Sequence, residues 1–270
     1  MNLTKIAFHG VPRSGTSWVG AIFDSSKNVI YRNQPLFSYA FKSLLYENSS
    51  SKEIDQFFRK ISKSKDNFIT QFNEKEKGLI PCFEKEDANH IVYKEARYHN
   101  ILTNMLQKDK EVKVIGIIRN PKSVISSWVN APREFDLESW DIMKEWRKAP
   151  SKNKDLIEEF YGYDKWKEVA NLFISLKEKY PKRFYLINYK DLLNDTERVV
   201  NDLFNFCGLR FEKQTKTFLQ NDQKKDNTKE AYSVYRVNQV DDKWKKKLPK
   251  EIIKAIDIDL MGTNLEKYLY

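Results

Sequence analysis

The chain has 270 residues, 40% of them hydrophobic, 14% aromatic and 32% charged, which suits a sizeable core and excludes wholesale disorder. Forty-eight Lys and Arg against 38 Asp and Glu leave a net charge of +10, which favours anionic partners: nucleotides, nucleic acid, sulfated or phosphorylated sugars, or an anionic membrane surface. Two cysteines, Cys82 and Cys207, cannot build a disulfide framework, and three scattered histidines with no CxxC pair argue against structural zinc. No apolar run reaches the roughly 18 residues of a membrane span. The opening MNLTKIAFHG lacks a signal-peptide layout, so the expected protein is soluble and cytoplasmic.

In chain order, Lys5–Phe8 reads as a strand, Gly10–Gly15 as a Gly/Pro/Ser turn, and a helix is expected from about Thr16, with Val19, Ile22 and Phe23 on one face. Residues 36–62 have helical spacing broken at 49–52, and 63–88 read as loop. His90–Lys94 is the next strand, followed by a helix over Asn100–Leu106. Val112–Ile118 is a nearly continuous apolar run, as expected of a parallel strand covered on both faces. Asn120-Pro121 then pairs a capping residue with a proline at the first helical position, starting a helix that runs to about Val129. A long helix is expected over Lys152–Tyr180, a strand over Arg183–Ile187, a helix over Thr196–Cys207 stopped by Gly208, and a last helix near Lys250–Ile258. Strands alternating with helices predict a three-layer α/β/α fold with a central parallel sheet of the P-loop nucleotide-binding type, in one domain spanning 1–270.

The sharpest motif is His9-Gly10-Val11-Pro12-Arg13-Ser14-Gly15-Thr16-Ser17-Trp18, between a strand and a helix. Backbone N–H groups of such a turn and of the helix start cradle an anion, and Arg13 adds a charged fork. Gly10 and Gly15 satisfy the GxxxxG half of a Walker A motif, but Thr16 stands where that motif needs its lysine. This disfavours ordinary ATP or GTP hydrolysis.

PRSGTSW resembles the 5′-phosphosulfate-binding loop of the sulfotransferases that use 3′-phosphoadenosine 5′-phosphosulfate (PAPS). Arg119 at a strand end, with Ser127 further along the next helix, is similar to that family's 3′-phosphate motif. Tyr185–Asp191 and the following NDLFNFCGL resemble its later strand and helix. The resemblance runs from about residue 5 to 210. It implies that Arg13, Ser14, Gly15, Thr16 and Ser17 hold the 5′-phosphate side, that Arg119 and Ser127 hold the 3′-phosphate, and that Trp18 and Tyr189 contact the adenine. Arg236 is a further possible contact, although the family's R-K-G is absent because Val237 and Asn238 follow it.

For sulfuryl transfer, which the family performs without a metal, Arg13 would stabilise the leaving group. A hydroxyl acceptor also needs a general base. Glu95, just past a strand end, is the first choice and His99 the second, while Lys94 would face the sulfuryl group or the acceptor. The resemblance thus implies PAPS as co-substrate and a hydroxyl or amine of a carbohydrate, lipid-linked sugar or small molecule as acceptor. The aromatic region of Trp128, Trp140, Trp146, Tyr161, Tyr163 and Trp166 either lines a sugar cleft or is core. Two other readings stand beside this one: a P-loop kinase, which lacks its lysine here, and a basic binding module using Lys224-Lys225 and Lys243–Lys247. No nucleic-acid motif accompanies those lysines.

Overall fold

The computed structural model describes residues 3–222 and 240–270. Its strands are β1 (Thr4–His9), β2 (Val29–Asn33), β3 (His90–Glu95), β4 (Lys113–Ile118) and β5 (Phe184–Asn188). They form one sheet in the order β2-β3-β1-β4-β5, with every neighbouring pair parallel. Successive side chains of a strand point to opposite faces, and here both faces are covered. Ile6, Phe8, Val92, Ile115 and Ile117 share one cluster with Val19, Ile22 and Phe23 of helix α1 (Thr16–Asp24) and with Val199, Leu203 and Phe204 of the Thr196–Cys207 helix. Ala7, Ile91, Tyr93, Val114 and Ile118 pack on the other side against the Leu102–Lys108, Pro121–Val129 and Tyr163–Lys179 helices. The three-layer parallel α/β/α arrangement expected from the alternation of elements is therefore observed.

β2 was not expected. Its short VIYRN has two apolar-facing positions, and its burial comes from pairing with β3 rather than from composition. The helix pair expected over 36–62 is a single helix, Ser51–Lys63, preceded by a short 3-10 turn at Pro35–Phe37 and then by turns. Ser50 starts that helix through a capping box with Glu53. The stretch 63–88, read as loop, contains two short helices, Asn67–Thr70 and Phe72–Glu76. The long helix expected from Lys152 begins only at Tyr163, because Gly162 at φ +84° breaks the chain there. A one-turn helix at Pro150–Asn153 is separate.

Strand order places the site. The chain leaves β1 toward β2 on one side of the sheet and leaves β4 toward β5 on the other, so the connections diverge at the carboxyl ends of β1 and β4. Open parallel sheets bind ligands in such a crevice.

Candidate active site

The loop after β1 is anchored at its base by Gly10, whose N–H donates to Glu95 O at 3.2 Å, and is closed by a Ser14 N–H to Val11 O bond of 3.2 Å. Gly15 takes φ +90° at the start of α1, and a side chain there would meet the Tyr189 ring at 2.5 Å. Both the left-handed backbone and the close ring require glycine. No side chain caps the first turn of α1, and its Trp18 N–H already donates to Gly15 O at 3.1 Å, which leaves the Thr16 and Ser17 N–H groups for an anion. Ser14 Oγ is buried and has no hydrogen-bond partner. Thr16 is buried and Ser17 half-buried beside it. An oxyanion in this cradle would satisfy the orphaned hydroxyl and the helix donors together, so the residues fit the phosphate expected of them.

The second motif arrives at the same place. Arg119 Nη1 donates to Arg13 O at 2.8 Å, and Arg13 Nε donates to Ser127 Oγ at 3.0 Å. Residues far apart in sequence thus join the end of β1 to the end of β4. Arg119 lies 4.7 Å over the Tyr189 ring, and its own carbonyl accepts from Trp166 Nε1 at 2.9 Å. Its Nε donates to Asp241 at 2.9 Å, and Nη2 reaches the other oxygen of the same carboxylate. Burial opposes the Arg119 charge, but Tyr189, Asp241 and Tyr270 outweigh it and raise its pKa. Ser123 Oγ donates to the carbonyl of Asp241 at 3.3 Å.

The two aromatic residues that the resemblance assigns to the adenine are both enclosed. Trp18 is 3% exposed and packs among sheet residues, edge-on to Tyr189 at 6.3 Å. Tyr189 is sandwiched between Gly15 and Arg119. Both rings therefore build the floor of the crevice. Arg236 lies outside the described residues.

At the end of β3, Lys94 and Glu95 are both buried. Glu95 Oε1 accepts the Leu36 N–H at 2.7 Å, and Oε2 has no partner. Burial pushes the Glu95 carboxyl up, with the Leu36 N–H and Lys94 pulling the other way. Burial pulls Lys94 down, opposed by Glu95 and Glu134. Arg97 does not pair with Glu95: it binds Glu159 at 2.6 Å and Tyr161 Oη at 3.1 Å, and lies 4.2 Å over Phe37.

His99 is not on a helix surface. It is fully buried against Phe160 and Phe173, with its Nδ1 3.2 Å from His9 Nδ1, and His9 Nε2 is 3.1 Å from Tyr93 Oη. Burial pushes His99 down to about 3, and burial together with the His99 charge lowers His9. Burial thus favours the uncharged form of both rings, and the pair belongs to the core.

Two acidic residues of the site had no motif to announce them. Glu134 lies in the turn after the Pro121–Val129 helix, 3.7 Å from the Arg13 guanidinium, and its charge acts on Lys94, Lys152 and Tyr161. Asp241 joins through tertiary folding alone. Trp128, Trp146, Tyr161, Tyr163 and Trp166 are buried, so most of the aromatic region is core, while Trp140 is half-buried. Among the described residues, no group of three or more His, Cys, Asp or Glu converges as metal ligands, and no helix is long and apolar enough to cross a membrane.

Comparison with known proteins agrees with this fold. A family model described as "Sulfotransferase domain" matches residues 3–261. A zebrafish (Danio rerio) protein, carbohydrate sulfotransferase 1, is 21% identical over 93% of this chain and 74% of its own length. The mouse sulfotransferase SULT7A1 complexed with PAP superposes with a TM-score of 0.55 at 14% identity, covering 100% of this chain and 88% of that one. The sulfotransferase domain of the Synechococcus PCC 7002 olefin synthase gives 0.55 at 16% identity, covering 100% and 96%. These structural likenesses show a shared fold.

Proposed function

Since the chain belongs to the sulfotransferase domain family, we propose that it moves a sulfuryl group from PAPS to a hydroxyl of a carbohydrate or other small acceptor. The observation that carries this reading is the 2.8 Å bond from Arg119 to the Arg13 carbonyl, which makes two separate anion motifs one site. The co-substrate supplies an activated sulfuryl group; binding, orientation and proton handling fall to the chain's own residues.

In this reading, Ser14 Oγ, the first-turn N–H groups of α1 and the hydroxyls of Thr16 and Ser17 hold the 5′-phosphate side. Preorganised donors of this kind stabilise charge where it develops. Arg13, a charged fork with a left-handed backbone at φ 71°, stabilises the leaving oxygen. Arg119 and Ser127 hold the 3′-phosphate; the carboxylate already in the Arg119 fork supports an oxyanion seat there. Tyr189 and Trp18 form the floor beneath the nucleotide.

Glu95 is the proposed general base, because burial raises its carboxyl toward the working pH of a base. Lys94 holds the transferred charge beside it. A second assignment, Glu134 as base, is favoured by its contact with Arg13 and its 11% side-chain exposure, against a fully buried Glu95. His99, neutral and enclosed by Phe160 and Phe173, is left to the core. The zebrafish relative, a carbohydrate sulfotransferase by name, supports the carbohydrate acceptor.

Incubation with sulfur-labelled PAPS and a panel of oligosaccharides, phenols and alkyl alcohols tests the proposal. Label in an oligosaccharide is the expected result. Label only in a phenol or alcohol removes the carbohydrate and leaves another small hydroxyl acceptor, and label in none overturns the proposed transfer.

A further inference from the structure

We propose that Asp241 is a built-in stand-in for the nucleotide's 3′-phosphate, competing for the Arg119 fork and thereby setting how tightly the product nucleotide is held. The inference rests on the nucleotide site proposed above. Its basis is geometric. Both Asp241 oxygens face the half-buried Arg119 guanidinium, one of them 2.9 Å from Nε, and the Asp241 side chain is only 6% exposed. A carboxylate and a phosphate offer the same paired oxygens to an arginine fork.

The Asp241 backbone is fixed independently of its carboxylate. Its carbonyl accepts from Ser123 Oγ at 3.3 Å and from Trp244 Nε1 at 3.1 Å, and Trp244 in turn lies 4.4 Å from the Lys122 ammonium. Rotation of one short side chain is therefore enough to exchange carboxylate for phosphate while the segment stays docked on the Pro121–Val129 helix.

The consequence is selective. A 3′-phosphate brings a second anion to a seat already neutralised, and like charges forced together in a buried site are strongly unfavourable. A nucleotide without that phosphate leaves the Arg119–Asp241 pair intact. Asp241 thus weakens 3′-phosphorylated nucleotides alone, which speeds product release and also covers the Arg119 charge between turnovers. Departure of product is the slow step in many enzymes.

Calorimetric titration of the full chain with 3′-phosphoadenosine 5′-phosphate (PAP) and with AMP tests this, using the parent, Asp241→Asn, Asp241→Ala and the control Asp242→Asn. Asp242 is exposed and carries the same charge one residue away. PAP should bind at least about ten-fold tighter to both Asp241 variants, with AMP and the control within about two-fold of the parent. PAP binding to Asp241→Asn and Asp241→Ala that is no tighter than to a PAP-preferring parent overturns the inference and makes Asp241 a holder of Arg119. If none of the four proteins prefers PAP to AMP, the nucleotide site itself fails, and the inference with it.

Discussion

Arg13 Nε donates to Ser127 Oγ at 3.0 Å, so the charged side chain of the loop after β1 is held by the helix that begins beside Arg119. The two halves of the candidate nucleotide site are one hydrogen-bonded unit before any ligand enters. Arg13→Ala removes a charge-assisted donor worth about 1.5–3 kcal/mol, so PAP affinity should fall about ten-fold or more, with a larger loss of turnover. Ser127→Ala should cost less, because it removes a neutral hydroxyl and leaves the guanidinium. Equilibrium titration with PAP checks both, and equal affinity of Arg13→Ala and the parent would remove Arg13 from the site.

Gly15→Ala should be damaging for a reason unrelated to charge. The residue sits at φ +90°, and its new methyl would lie 2.5 Å from Tyr189. Left-handed strain and the clash together should cost about 1–3 kcal/mol or more and displace the ring that supports Arg119. A melting temperature equal to the parent's would contradict this account of the loop.

The base assignment separates on two isosteric variants. Glu95→Gln should leave PAP affinity within about three-fold while lowering turnover about 100-fold, the range of general-base contributions. Glu134→Gln should change turnover less, unless the carboxylate beside Arg13 is the base. Single-turnover transfer rates for the two decide between them: the slower variant identifies the base.

Stability should depend on pH through the buried histidines. His99 is pushed down to about 3 from an ordinary 6.5, and His9 is lowered too, so below about 6.5 the unfolded chain binds protons that the folded chain refuses. Their contribution is complete above that pH and is lost as pH falls toward 3. Glu95, whose carboxyl is raised, works in the opposite sense, which makes the difference between parent and His99→Phe the informative quantity. Denaturant unfolding between pH 7.5 and 5 should show the parent losing more stability than the variant. Parallel curves would mean that His99 is not held neutral.

The sheet was legible wherever apolar runs were long. The Val112–Ile118 run and the Asn120-Pro121 start appear in the structure as β4 and the helix beginning at Pro121. Gly208 ends the Thr196–Cys207 helix in the left-handed conformation expected of it. The errors have physical causes. Phe41 and Leu45, four residues apart, mimic helical spacing, yet Phe41 is buried from a turn and Leu45 from irregular chain rather than from a continuous helix. β2 gains its stability from its neighbour, which composition does not report. The loop after β1 was readable as a local unit because strand, glycine turn and helix are contiguous, and the places of Arg119 and Ser127 because a strand end and a helix start frame them. Glu134 and Asp241 are brought to Arg13 and Arg119 by tertiary folding, and His99 turned inward because Phe160 and Phe173 enclose it.

The most direct test of the central claim is thermal stabilisation by PAP measured beside AMP, ADP and ATP with Mg²⁺, since a ligand that binds the native state raises the melting temperature by mass action. Selective stabilisation by PAP, abolished in Arg119→Ala, is the result this account predicts. Stronger stabilisation by ATP with Mg²⁺ than by PAP would contradict it and point to phosphoryl rather than sulfuryl transfer.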